Sequence, residues 1–164
     1  MHITIRHYFS LCLLLLFSGS ALFSQSAKKG GKYEISAAFP GGDIVFDSVR
    51  GNEVFIHQNL HDTEDNWFYW YFRVGKSAAG KTLTFQFTHP WKELRPLNVI
   101  GVRGPAISFD SGKTWSWLGV KTVRGASFSY TFPARMNEIR FSFGMPYTEA
   151  NLRTFLKAYR NSPN

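Results

Sequence analysis

The chain has 164 residues, among them 16 Phe, 5 Trp and 7 Tyr, with one cysteine and a formal net charge of +8. That length supports one domain, large enough to bury a core without staples. It is too short for a propeller behind a leader, one cysteine cannot build a disulfide scaffold, and so many large apolar side chains argue against disorder.

The first segment reads as an export signal. Arg6, with His2 and His7, gives a weakly basic start. Phe9 to Phe17 is an apolar core built on Leu13 to Leu16, and the small residues Ser18, Gly19, Ser20 and Ala21 follow. A signal peptide is therefore expected over residues 1–21, and with it a periplasmic, cell-envelope or extracellular location. The apolar run is about half the ~20 residues a spanning helix needs, so no membrane span is expected in the mature chain. Cys12 lies in this leader, which leaves the mature chain without thiol chemistry, disulfides or cysteine metal sites. Basic residues occur singly or in pairs such as Lys28-Lys29 rather than in a dense run, so no nucleic-acid partner is expected.

Residues 22–32 read as a flexible linker. Period-two patterns then dominate. Val54-Phe55-Ile56 follows a turn at Gly51-Asn52. Trp67 to Val74 (WFYWYFRV) is the strongest strand, with Phe68, Trp70, Phe72 and Val74 on one face and Trp67, Tyr69, Tyr71 and Arg73 on the other. Aromatic residues on both faces imply a central strand covered on both sides. Leu83, Phe85 and Phe87 alternate with Thr82, Thr84 and Gln86. The same one-sided alternation returns at Phe128, Tyr130 and Phe132, and at Ile139, Phe141 and Phe143. Turns are expected at 75–81, 103–105 and 133–137. Short strands at this spacing predict a mainly β fold, an antiparallel β-sandwich, over residues 33–160. One C-terminal α-helix is expected, capped by Thr148, with Leu152, Phe155, Leu156 and Tyr159 at i, i+3, i+4 and i+7. Residues 161–164 form a tail.

Chemistry is sparse. His61 to Glu64 spells H-x-x-E, with His57 four residues earlier, a spacing that can bring imidazole and carboxylate to one metal. His57, His61 and Glu64 are thus weak metal candidates. They are set against the simpler reading of a polar connection, and no metal is expected. No pair of acids is spaced as a catalytic pair, and no phosphate loop or nucleophile elbow is present. Ser108 to Trp115 (SFDSGKTW) resembles the Asp box, a structural hairpin turn. Asp110 is expected to accept backbone N–H bonds, Gly112 to take positive φ and Trp115 to cover the hairpin. Tyr69 and Trp91 are the aromatics least committed to a core and the candidates for stacking on a ligand.

Several segments resemble one family together. These are AFPGGDI at 38–44, DTEDNWFYWYFRV at 62–74, GKTLTF at 80–85, NVIGVRGP at 98–105, SFDSGKTWSWLG at 108–119 and FSFGMPYTEANL at 141–152. In this order they resemble the N-terminal β-sandwich domain of cytosolic-type zinc carboxypeptidases, particularly exported bacterial members. The resemblance runs from about Tyr33 to Tyr159. It implies a non-catalytic accessory domain, because the family's zinc ligands, substrate-binding Arg and general-base Glu belong to a separate catalytic domain. No enzyme activity and no cofactor are therefore expected in this chain. Any zinc would belong to that second domain, reached in cis or in trans as a partner. Tyr147, Leu152, Phe155, Leu156 and Tyr159 are the candidate interface to it. A stand-alone glycan- or peptide-binding module is the alternative.

Overall fold

The computed structural model describes residues 32–61, 69–88 and 99–160. Among these residues, ten strands form two five-stranded sheets that pack face to face. In chain order they are β1 (Ile35–Ser36), β2 (Val45–Arg50), β3 (Glu53–His57), β4 (Tyr71–Gly75), β5 (Thr82–Phe87), β6 (Ala106–Ser108), β7 (Ser116–Trp117), β8 (Val123–Arg124), β9 (Ser127–Thr131) and β10 (Glu138–Ser142). One helix, α1 (Glu149–Arg160), follows. The first sheet runs β1-β4-β10-β6-β7 and the second β2-β3-β5-β9-β8.

The period-two pattern sets which side chains meet. Phe72 and Val74 of β4, Phe141 and Ile139 of β10 and Ile107 of β6 face inward from the first sheet. Val54, Ile56, Leu83, Phe85 and Phe128 answer from the second, all within one buried cluster. Aromatic rings fill the middle layer. Phe85 lies 5.2 Å from Phe72, 4.9 Å from Phe128 and 5.5 Å from Phe141, centroid to centroid. Trp70 sits at one end of this layer, 5.2 Å from Phe87, with its indole N–H donating to the Val99 carbonyl at 2.8 Å. That bond satisfies the polar atom of a fully buried residue.

Among the described residues every strand pairing is antiparallel except β3 with β5, which run parallel. The reason lies in the connection. Between β3 and β5 the chain crosses to the other sheet and forms β4, so β5 returns in the direction of β3. At the sheet edge, β2 carries a register shift between Phe46 and Ser48. Asp47 sits in this irregularity, and a charged, irregular edge strand discourages pairing with a second chain.

The expected strand over 67–74 is shorter than its pattern. Trp67 and Phe68 lie outside the described residues, Tyr69 and Trp70 precede β4, and Gly75 extends it. The position matches the aromatic pattern, since β4 is flanked by β1 and β10.

Helix α1 buries no residue. Its first turn is held locally. Asn151 Oδ1 accepts from the Thr148 backbone N–H at 2.8 Å and from the Thr148 hydroxyl at 2.6 Å, while the Thr148 carbonyl accepts the Leu152 N–H. Asn151 thus supplies the return half of a capping box to Thr148, whose own hydroxyl is spent on Asn151.

Truncating Phe85 to Ala removes the ring around which three other phenylalanines pack. Urea denaturation should show a loss of about 3–5 kcal/mol. A loss under about 1 kcal/mol would mean that the two sheets do not share this layer.

Candidate functional site

The most heavily built surface is the outer face of the first sheet. Odd-numbered residues of β4 point there, and two segments cover them. Phe39 packs edge-on against Tyr71 at 4.8 Å, and Trp115 meets the same ring at 5.4 Å. Tyr71 is consequently buried even though it faces away from the core.

Arg73 and Arg140 stand directly opposite each other across β4 and β10. Opposed like charges are unfavourable, and Glu138 resolves the conflict. Its two carboxylate oxygens accept from Arg140 Nε at 2.7 Å and from Arg73 Nη1 at 3.0 Å. Arg140 Nη1 also donates to the Tyr71 hydroxyl at 3.0 Å, and its guanidinium lies 4.4 Å from the Phe39 ring centre. Burial works to raise the Glu138 pKa, but hydrogen bonds from Ser111, Arg140 and Arg73 outweigh it and hold the carboxyl below its usual range.

The 108–115 turn closes one side of this face. Asp110 accepts the Lys113 and Thr114 backbone N–H groups at 3.0 and 2.9 Å and the Thr114 hydroxyl at 2.6 Å. The Ser108 hydroxyl donates to Asp110 at 2.8 Å and accepts the Gly112 N–H at 2.9 Å. Gly112 takes φ of 86°, and the Trp115 indole donates to the Gly112 carbonyl at 3.0 Å. Ser111 adopts φ of 62°, a left-handed conformation uncommon outside glycine. Hydrogen bonds from Thr114, opposed by burial and joined by those from Ser108 and Lys113, hold the Asp110 carboxyl well below the usual range.

Each of the two candidate histidines lies against its own aspartate. His57 Nδ1 lies 2.8 Å from Asp47 Oδ1, and His61 Nε2 lies 3.0 Å from Asp43 Oδ2. Each imidazole therefore meets an aspartate from the segment leading into or within β2. Glu64 lies outside the described residues. No group of three His, Cys, Asp or Glu side chains arranged to hold a metal occurs among the described residues. Burial raises the Asp43 pKa, with His61 and Asn59 opposing it.

Tyr69 is half-buried. Its hydroxyl donates to the Gly41 carbonyl at 2.6 Å, and burial, with Tyr71 and Asp43 nearby, pushes its pKa up to about 12. The polar tip of this candidate stacking residue is thus committed to a backbone contact. Trp91 lies outside the described residues. Tyr147, Leu152, Phe155, Leu156 and Tyr159 are all exposed, with the Phe155 and Tyr159 rings 4.7 Å apart. Trp117, part of the 108–119 stretch that carries the resemblance, lies in β7 at an edge of the first sheet and is exposed.

No family model and no curated protein matches the sequence. Solved structures do match. A metallo-carboxypeptidase from Pseudomonas aeruginosa, in complex with (2-guanidinoethylmercapto)succinic acid, superimposes with a TM-score of 0.61 at 16% identity, over 76% of this chain and 32% of that one. A putative carboxypeptidase A from Shewanella denitrificans gives 0.59 at 19% identity, over 79% and 34%. A putative carboxypeptidase from Burkholderia mallei gives 0.59 at 20% identity, over 88% and 35%. The chain thus spans about a third of the length of these structures, and the likeness is one of fold. It defines a β-sandwich of the kind found as one part of metallo-carboxypeptidases.

Asp110 has a carboxyl pKa below its ordinary value of 3.8, so its contribution to stability is complete above that pH and fades as pH falls below it. Thermal midpoints measured from pH 6 down to pH 2 should fall steeply for the parent chain. Asp110→Asn should start lower at pH 6 and fall less steeply. Parallel curves would show that Asp110 does not anchor the turn.

Proposed function

We propose that this chain is an exported, non-catalytic accessory domain that packs on a zinc-carboxypeptidase catalytic domain, in cis or in trans. The observation that carries the reading is α1. Its apolar side chains Leu152, Phe155, Leu156 and Tyr159 form one stripe, and none is buried by the sandwich. A helix of 12 residues has little stability of its own in water, so an apolar stripe of this kind calls for a partner surface. The fold likeness to one third of several metallo-carboxypeptidases supports the identity of that surface. The chemistry of proteolysis would then reside in the partner, and any zinc with it. The leader at 1–21 supports a periplasmic, envelope or extracellular setting.

The sandwich contributes rigidity in this reading. The Asp43 loop, tied to Tyr71 by reciprocal backbone bonds of 2.7 and 2.8 Å, abuts the start of α1, where Thr148 approaches Gly41. The partner-facing helix is therefore oriented by the same loop that covers β4.

The test has two arms. The DNA flanking this frame should encode a peptidase domain with an H-x-x-E motif in register or in a neighbouring frame. Purified chain supplied with zinc should release no C-terminal residue from model peptides. Turnover by the chain alone, lost on Glu138→Gln or His61→Ala, would contradict the accessory role, and flanking DNA without a peptidase frame would contradict the partner.

A further inference from the structure

Two loops meet at one edge of the sandwich, far in sequence from α1. The 101–105 loop enters β6, and residues 117–122 leave β7. They are clamped together by backbone. Leu118 N–H donates to the Pro105 carbonyl at 2.8 Å across the pair, while Gly104 N–H closes the first loop on itself by donating to the Gly101 carbonyl at 3.2 Å. A Cβ on Gly104, which has φ of +72°, would lie 2.7 Å from the Gly119 carbonyl oxygen, so the two backbones approach more closely than any other residue there permits.

What this rigid pair displays is unusual for a water-facing loop. Val102 is 81% exposed, Val120 52% and Trp117 37%. Arg103 and Lys121 alternate with them and are also exposed. The Arg103 guanidinium stands 5.6 Å from the Trp117 ring centre, which fixes the aromatic face beside the cation. Charge is segregated as well. Between residues 99 and 124 the basic side chains are Arg103, Lys113, Lys121 and Arg124, while the sole acid is Asp110. That carboxylate is consumed by its own turn.

Aliphatic tips, an amphipathic indole and a cationic surround match one environment in particular. The interface of an anionic bilayer accepts valine into its acyl boundary, holds tryptophan at the headgroup level and attracts lysine and arginine. A glycan would use the indole but has no use for two exposed valines. We propose that the Val102–Val120 loop pair is a peripheral docking site for an anionic lipid surface, with Val102 and Val120 inserting, Trp117 at the interface and Arg103 and Lys121 facing lipid headgroups. This goes beyond the accessory-domain reading and uses a different surface from α1. Among the described residues no helix is long and apolar enough to cross a membrane, and this attachment requires none.

The experiment is co-sedimentation of the full chain with vesicles of phosphatidylglycerol and phosphatidylcholine, compared with phosphatidylcholine alone. Binding is expected to the anionic vesicles, weakening as salt rises. Lys121→Glu and Val102→Glu should each lower the partition coefficient about tenfold or more, with the thermal midpoint unchanged, and Val120→Glu should repeat the Val102 result. Free phosphate and glycerol phosphate should not compete, which separates a bilayer surface from a soluble anion. The proposal is overturned by absence of anionic-vesicle binding at low salt. It is equally overturned if binding persists unchanged in these variants, whether held by the N-terminal segment or lost instead in Leu152→Glu.

Discussion

Burial of β4 on both faces is the constraint on which the rest of the structure depends. Phe72 and Val74 enter the aromatic layer between the sheets, while Tyr71 and Arg73 turn the other way. A strand with large side chains on both faces needs two covers. The second sheet provides one. The other is assembled from Phe39, Trp115 and the 108–115 turn, and it brings distant segments of the chain to one place. The Asp110 hydrogen bonds that shape that turn are therefore part of the same construction as the core.

Electrostatics on the outer face follow from register. Antiparallel pairing sets Arg73 opposite Arg140, and the fold tolerates this because Glu138 lies two residues before Arg140 on the same face and bridges both. The Phe39 ring and the Tyr71 hydroxyl occupy what remains of Arg140's surroundings. A partly buried charge cluster of this kind costs some desolvation unless every partner is in place. It is better understood as a device that fixes which loops lie over β4 than as a source of stability.

Much of the fold was legible in the sequence. Alternation marked β5 and β9, whose polar rows face outward, and β10, whose polar row meets the covered charge cluster, while β3 was marked by its apolar run after the Gly51-Asn52 turn. The two aromatic faces around Trp70 placed β4 centrally, and the apolar spacing placed α1. The parallel β3–β5 pair was not legible, since its direction depends on β4 belonging to the other sheet, a fact that no local pattern encodes. The two-residue strands β1, β7 and β8 are too short for period two to register. Among the site candidates, Asp110, Gly112 and Trp115 build the turn that their spacing suggested. His57 and His61 meet Asp47 and Asp43, which lie 10 or more residues earlier and became neighbours through the β2–β3 hairpin. The close approach of Gly104 to Gly119, which brings the 101–105 loop beside Trp117, is a feature that only three dimensions reveal.

In the proposed accessory role the sandwich is self-contained and α1, which buries no residue, packs on a partner. Amide hydrogen exchange on the isolated chain measures that difference directly. The account predicts that amides of β4 and β10 exchange most slowly, through global unfolding, while those of α1 exchange orders of magnitude faster through local opening. Protection of α1 equal to that of β4 would contradict it, because the helix would then already be packed within this chain.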